Sequence, residues 1–194
     1  MQNVSKQTSK LLPSLFKNVD EGELVTVFHV GSALPETVDF FSKYRCKLHF
    51  VDLFSALPIT YNCGTKESLE HQLEQAITFS SNTRFDVCFF WDLFNYLDSE
   101  AISAFLTALQ PYLKESTVAH AFSVHNLKTG QNSHLYGVYQ ADILSFKDRR
   151  TALPGYSPHS QNQLKQLLHC FSIERSVLLN DSRLELLLQA RLDN

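Results

Sequence analysis

Residues 85–98, FDVCFFWDLFNYLD, decide the fold of this 194-residue chain. The first seven of these residues are almost all apolar, which is the pattern of a strand covered on both faces in a parallel sheet. A carboxylate, Asp92, follows that strand directly, and Asp98 with Ser99 can cap a helix after it. The next segment repeats apolar side chains at helical spacing: Ile102, Phe105, Leu106, Leu109 and Leu113. The stretch therefore predicts a buried strand followed by a helix.

The same alternation of strand and helix extends in both directions along the chain. Further strands are predicted at 24–30, 47–54 and 116–124. Helices are predicted to begin at Pro35, after the N-cap Thr65, and at the capping box formed by Ser160 and Gln163. Residues 55–64 are compatible with either a short strand at 59–61 or a loop.

The chain ends in a different pattern, without a helix. Two alternating runs, 172–179 and 183–191, are joined by the turn-forming residues Asn180, Asp181 and Ser182. This arrangement predicts a β-hairpin. Together with the preceding alternation it predicts an α/β fold: a doubly wound, mostly parallel sheet with a C-terminal antiparallel hairpin. We divide the chain into an N-terminal helical extension, 1–22, and a single domain, 23–194.

Composition and charge narrow the class of protein. Seventeen Lys and Arg against 20 Asp and Glu give a net charge of −3, and 44% of the residues are hydrophobic. A disordered chain and a protein that binds nucleic acid through a basic surface are therefore not expected. No apolar run is long enough for a membrane span or a secretory signal. Four cysteines without metal-binding spacing predict reduced thiols and a cytoplasmic protein.

Suggestive residues follow three of the predicted strands. In doubly wound sheets, ligands bind beyond the carboxyl ends of the strands, where the strand order reverses. Gly31 would let a ligand approach the main chain, and the following helix start favours an anionic group. Asp52 lies 21 residues after Gly31, a spacing at which a carboxylate accepts hydrogen bonds from ribose hydroxyls. Trp91 and Asp92 end the third of these strands.

Each of these residues also has a purely structural interpretation. Gly31 can serve a tight turn, Asp52 can be a solvated residue or a helix cap, and Trp91 can pack in the core. His29 lies within an apolar strand and is predicted to be a hydrogen-bonded core histidine. Asp92 is the stronger functional candidate, because burying an unpaired carboxylate is unfavourable.

Taken together, these features resemble the class I S-adenosylmethionine-dependent methyltransferases over residues 20–192. The resemblance implies that Val30, Gly31 and Ser32 hold the methionine end of the cofactor and that Asp52 binds its ribose. It also implies that Leu53 flanks the adenine and that Trp91 and Asp92 border both cofactor and substrate. The loop departs from the family pattern: in HVGSALP, 29–35, a histidine replaces the usual acid and only one glycine is present.

Three functional hypotheses follow. The first is an S-adenosylmethionine-dependent methyltransferase with a small-molecule acceptor and no obligatory catalytic side chain. The second is a non-catalytic, methyltransferase-like module that binds a protein partner or forms a homodimer, and the third is another nucleotide-binding function. For the enzyme, the irregular stretch 125–158 is the expected acceptor lid, with Tyr136, Tyr139 and His125 as contacts.

Other candidate sites are weaker. His120, His125 and His134 lack the helical spacing of a metal site, so no metal is expected. The run Asp148-Arg149-Arg150 is predicted to be a solvated loop. No serine nucleophile elbow and no phosphate-binding P-loop is present in the sequence.

Overall fold

The computed structural model describes residues 4–17, 22–60, 68–128 and 130–192. The strands of this part of the chain are β1 (Ser5–Thr8), β2 (Val25–Val30), β3 (Cys46–Val51), β4 (Val87–Trp91), β5 (Val118–Val124), β6 (His134–Gln140), β7 (Ile143–Asp148), β8 (Phe171–Leu178) and β9 (Arg183–Ala190). Its α-helices are α1 (Leu12–Leu15), α2 (Pro35–Phe41), α3 (Leu69–Ala76), α4 (Ser99–Leu109) and α5 (Gln161–Leu167).

A six-stranded sheet in the order β3-β2-β4-β5-β9-β8 forms the centre of the fold. Strand β2 pairs in parallel with both β3 and β4, and β4 pairs in parallel with β5. Strand β9 runs antiparallel between β5 and β8. The predicted α/β class and C-terminal hairpin are therefore confirmed. The strand order reverses between β2 and β4, so the residues that follow β2, β3 and β4 lie at one edge.

Burial and capping explain why the local predictions succeeded. All five residues of β4 are buried, as the continuous apolar run requires. The Asp98 carboxylate accepts a hydrogen bond of 2.8 Å from the Ala101 N–H at the start of α4. Ser160 and Gln163 form the predicted capping box before α5. Helix α3 begins after the N-cap Ser68, whereas Thr65 lies outside the described residues.

The N-terminal segment differs from the predicted helical extension. Its described residues form strand β1, which pairs with β7, followed by the one-turn helix α1. The Ser9 hydroxyl accepts hydrogen bonds from the N–H groups of Leu11 and Leu12 and donates one to Glu185 in β9. Pairing with a distant strand thus outweighs the helical pattern there, and the segment is attached to the main domain.

The stretch 125–158 was expected to be irregular, and here the prediction was wrong. It contains β6 and β7, which form a three-stranded antiparallel sheet with β1. The hairpin packs on α2, where the Val138 N–H donates a hydrogen bond of 3.0 Å to the Thr37 hydroxyl. A Cβ atom at Gly137 would lie 2.6 Å from Thr37 Oγ1, so this glycine permits close packing within a strand rather than marking a loop.

Two smaller expectations concern other segments. Residues 55–60 contain no strand; the chain there continues a 3₁₀ turn (Leu53–Ala56), and 61–64 lie outside the described residues. Cys46, Cys88 and Cys170 are free thiols. Among the described residues, no helix has both the length and the apolar character needed to cross a membrane.

Candidate functional site

Gly31 and Asp52 lie side by side at the reversal point of the sheet. Gly31 has a φ of +104°, in the left-handed region that favours glycine, and its N–H donates a 2.8 Å hydrogen bond to the Val51 carbonyl. The next residue, Ser32, donates a hydrogen bond of 3.1 Å from its hydroxyl to Asp52 Oδ2. Both Ser32 and Asp52 are exposed. The carboxylate after β3 is therefore held against the loop after β2 and remains accessible.

The two bulky residues of the glycine loop have different surroundings. Leu34 is buried, and its Cδ1 lies 3.2 Å from the position of a Cβ atom at Gly137 in the hairpin. Pro35 is exposed and occupies the first turn of α2, where its missing N–H has no partner to lose. The ring of Phe54 lies beside Gly31, with its Cδ2 atom 3.5 Å from the position of a Cβ atom at that glycine.

Asp92 is a buried carboxyl group directly after β4. The residue is 4% exposed, and its Oδ1 has no hydrogen-bond partner among the described residues. Burial raises the pKa of Asp92 to about 7, although the nearby positive charges of Arg149 and Arg183 oppose that rise. A buried carboxyl with one unpartnered oxygen and a pKa close to neutrality is typical of functional sites.

Trp91, the residue before Asp92, has an unusual main-chain conformation. Its φ is +53°, and the register of β4 against β5 shifts between Phe89 and Trp91. The indole N–H donates a 3.1 Å hydrogen bond to Nε2 of His29, whose pKa burial lowers to about 3. The indole also lies parallel to the ring of Tyr136, with 5.4 Å between the ring centroids. His29 is thus a neutral, hydrogen-bonded core histidine, as expected.

Besides Asp92, three more of the predicted cofactor residues have buried side chains. Val30, Leu53 and Trp91 are each no more than 2% exposed. Any contact between these residues and a cofactor would come from their main chains. The side chains available at this edge are those of Ser32 and Asp52.

Arg149 is the functional candidate that the sequence did not indicate. It was expected in a solvated loop, but the structure makes it half-buried, with its guanidinium 4.5 Å from the ring centroid of Phe54. Its Nε donates a hydrogen bond of 3.1 Å to the His134 carbonyl. Burial lowers the pKa of Arg149, and the negative charges of Asp92 and Asp52 oppose that change. The neighbouring Arg150 is exposed, as predicted.

A pocket of about 520 Å³ opens beside Arg149, at the end of the hairpin. Its lining residues come from the segments before β6 and after β7 and from the chain after β4: Tyr96, Gly130, Gln131, Asn132, Ser133, Asp148, Arg149, Ala152, Leu153 and Tyr156. The predicted acceptor contacts lie elsewhere. Tyr136 is buried and accepts a hydrogen bond from Arg183, Tyr139 lies beneath the Lys6 ammonium, and His125 is exposed after β5.

The two remaining candidate histidines each lie within hydrogen-bond distance of a carboxylate. Nε2 of His120 lies 2.9 Å from Oε1 of Glu185, and both side chains are buried. Nδ1 of His134 lies 2.9 Å from Oδ1 of Asp148. Within the described ranges, no group of three or more His, Cys, Asp or Glu side chains could hold a metal ion.

The residues at the reversal edge fit an adenosyl cofactor. Asp52 offers an accessible carboxylate that can accept hydrogen bonds from vicinal ribose hydroxyls. Gly31, with its positive φ, leaves the main chain without a side chain beside that carboxylate. The Phe54 ring next to Gly31 adds an apolar surface, which also narrows the approach.

Comparison with known proteins places the fold. No family model matches the sequence, and no curated protein is significantly similar to it. A solved structure of an S-adenosylmethionine-dependent methyltransferase from Clostridium acetobutylicum ATCC 824 is 14% identical, with a TM-score of 0.51 over 85% of this chain and 83% of that chain. The chain has the class I methyltransferase fold.

Other structures share this fold. The 1,6-didemethyltoxoflavin-N1-methyltransferase of Burkholderia thailandensis, solved with S-adenosylhomocysteine, is 13% identical, with a TM-score of 0.50 over 93% of this chain and 77% of that one. An enzyme described as catalysing a pericyclic reaction is 11% identical, with a TM-score of 0.55 over 93% of this chain and 47% of its own. The methyltransferase fold therefore carries more than one kind of reaction, and function has to be argued from the site.

Proposed function

We propose that this chain binds S-adenosylmethionine at the edge formed by Gly31 and Asp52 and methylates a small molecule held in the pocket beside Arg149. One observation carries the proposal: an accessible carboxylate, Asp52, is fixed by Ser32 beside a glycine of positive φ at the reversal point of the sheet. When bound, the cofactor supplies an electrophilic methyl group on a sulfonium centre.

The chain's own residues would then bind, orient and accept a proton. Asp52 would accept hydrogen bonds from the ribose hydroxyls, and Ser32 would keep the carboxylate in place. Burial and, after it, the nearby Asp92 carboxylate raise the pKa of Tyr96, a residue that lines the pocket. With its own pKa near 7, Asp92 can take a proton from an acceptor hydroxyl or amine at neutral pH. Most of the rate enhancement would come from alignment of acceptor and methyl group.

Ligand-induced stabilisation tests the cofactor part of this proposal. A ligand at about 100 times its Kd stabilises the folded state by about 2.7 kcal/mol, which raises Tm by about 5–10 °C in a chain of this size. We expect such a shift with S-adenosylmethionine and with S-adenosylhomocysteine. Asp52→Ala should abolish it, whereas Asp39→Ala, at an exposed position on α2, should retain it. No shift at millimolar ligand, or an equal shift in Asp52→Ala, would contradict the proposal.

A second candidate function is a methyltransferase-like module without a cofactor, acting through a protein partner or a homodimer. The position of Phe54 favours it, because the ring lies against Gly31 with the Arg149 guanidinium over it. If Phe54 closes the edge, Phe54→Ala should bind S-adenosylhomocysteine more tightly than the parent chain. A folded parent and a folded Phe54→Ala that both leave the ligand unbound would support the module.

A further inference from the structure

The pocket at the end of the hairpin combines one cationic side chain with aromatic walls. Arg149 provides the guanidinium, and Tyr96 and Tyr156 provide rings whose centroids are 5.6 Å apart in an edge-to-face arrangement. The remaining polar lining is uncharged apart from Asp148: Gln131, Asn132 and Ser133. A volume of about 520 Å³ is within the range of small-molecule sites.

Arg149 is held in place but is not neutralised by a close ion pair. Its Nε is bonded to the His134 carbonyl and its plane lies over Phe54, so the side chain has little freedom. No carboxylate of the described residues lies within 4.0 Å of it. Burial lowers its pKa because the charged form is partly desolvated. Since a guanidinium stays protonated in proteins, its terminal nitrogens are suited to a carboxylate, which they can bind with two parallel hydrogen bonds.

The acidic residues near the pocket do not oppose an anionic ligand strongly. The Asp148 carboxylate lies 2.9 Å from Nδ1 of His134, and its side chain is 83% exposed, so solvent and salt screen its charge. Asp92 lies near Tyr96 and Tyr156, and its raised pKa leaves a large share of it uncharged near neutral pH. Burial also raises the pKa values of Tyr96 and Tyr156, so both phenols are neutral. Tyr156 is partly exposed and presents aromatic surface, whereas Tyr96 is buried against it.

We propose that this pocket binds a small aromatic carboxylate, with the carboxylate on Arg149 and the ring against Tyr156, which packs on the buried Tyr96. This inference deepens the proposed function by assigning the class of the methyl acceptor. It rests on that function only for the claim that the bound molecule is methylated. The binding itself requires no cofactor and can be measured separately.

The test uses matched pairs of acids and amides on the full chain without cofactor. The probes are 4-hydroxybenzoate, salicylate and 4-hydroxycinnamate, each beside its uncharged carboxamide, with affinities measured by titration calorimetry. We expect at least one acid to bind and its amide to bind at least about tenfold more weakly, because hydrogen bonds to charged groups are the stronger ones. Arg149→Gln should lower the affinity for the acid by a similar factor and leave the affinity for the amide unchanged.

Two further variants make the result specific. Arg150→Gln removes the same charge from the adjacent, exposed position and should bind the acid as the parent does. Arg149→Lys keeps the charge without the planar guanidinium, so its affinity for the acid should lie between that of the parent and that of Arg149→Gln. This variant keeps the test valid if the glutamine variant is poorly folded. Asp52→Ala should bind the acid normally.

The outcomes separate this inference from the proposed function. The inference is wrong if no acid binds the parent chain at millimolar concentration, if acid and amide bind equally, or if both Arg149 variants bind like the parent. If an acid binds through Arg149 while S-adenosylmethionine does not bind, the pocket assignment stands and the methyltransferase proposal falls.

Discussion

Asp92→Asn is expected to change how the stability of the chain depends on pH. The carboxyl is buried without a partner for Oδ1, and its pKa is raised to about 7 from an ordinary value of 3.8. Asparagine has nearly the same shape and no titrating proton. The difference in unfolding free energy between the two chains therefore isolates the ionisation of this one group.

The sign and size follow from proton linkage. Between pH 3.8 and about 7 the folded state keeps a proton on Asp92 that the unfolded state releases, so the unfolding free energy falls as pH rises through this window. The interval between the two values, at about 1.4 kcal/mol for each pH unit, corresponds to about 4 kcal/mol. The destabilisation is absent below the unfolded pKa and complete above the folded one. Relative to the parent chain, Asp92→Asn should gain about this much stability between about pH 4 and about pH 8.

Urea unfolding at a series of pH values measures this gain. Any constant cost of the asparagine side chain cancels, because only the change with pH is compared. The buried His29 titrates in the opposite direction, since its lowered pKa makes the parent more stable as pH rises from about 3, but it contributes equally to both chains. Asp39→Asn on the exposed face of α2 controls for the removal of one surface charge. A difference that stays constant within about 1 kcal/mol across the series would refute a buried, uncharged Asp92.

Two further predictions concern the hairpin sheet. Gly137→Ala would place a Cβ atom 2.6 Å from Thr37 Oγ1 and 2.9 Å from Ser145 Oγ, so we expect a loss of about 2 kcal/mol in urea unfolding, whereas Gly130→Ala, which meets no atom within 4 Å, should be near neutral. Ser9→Ala removes the hydroxyl that bonds Glu185 and the start of α1 and should cost about 2 kcal/mol, whereas Ser5→Ala at an exposed position of β1 should cost little. Equal losses within either pair would contradict the role assigned to the buried contact.

The central sheet could be predicted because its signals are local. The apolar run of β4 needs only its own residues to indicate a strand buried on both faces. The side chains of Asp98 and Ser160 cap helices through hydrogen bonds that span three residues. Such interactions depend only on residues that are close in the sequence, and tertiary packing did not override them.

The second sheet depends on contacts between distant residues. Strand β1 is paired through Ser5 with Phe146, and neither segment has an apolar pattern strong enough to indicate a strand alone. Gly137 has the sequence signature of a turn but lies within β6, because the hydroxyls of Thr37 and Ser145 occupy the space a side chain would need. The strand pairing and the close approach both belong to the folded structure rather than to the local sequence.

The candidate site also contains residues that the local sequence indicates and one that depends on contacts between distant residues. Gly31, Asp52 and Asp92 could be named because a parallel sheet brings the residues after its strands to one edge, whatever surrounds them. Arg149 and Arg150 are chemically identical neighbours, and only the hairpin distinguishes them. The chain leaves β7 with the Arg149 N–H bonded to the Ser133 carbonyl, its side chain over Phe54, and Arg150 in solvent. The hairpin of the second sheet therefore positions Arg149 in the pocket. A change that loosens the hairpin from α2 should weaken acid binding without altering any residue that touches the ligand.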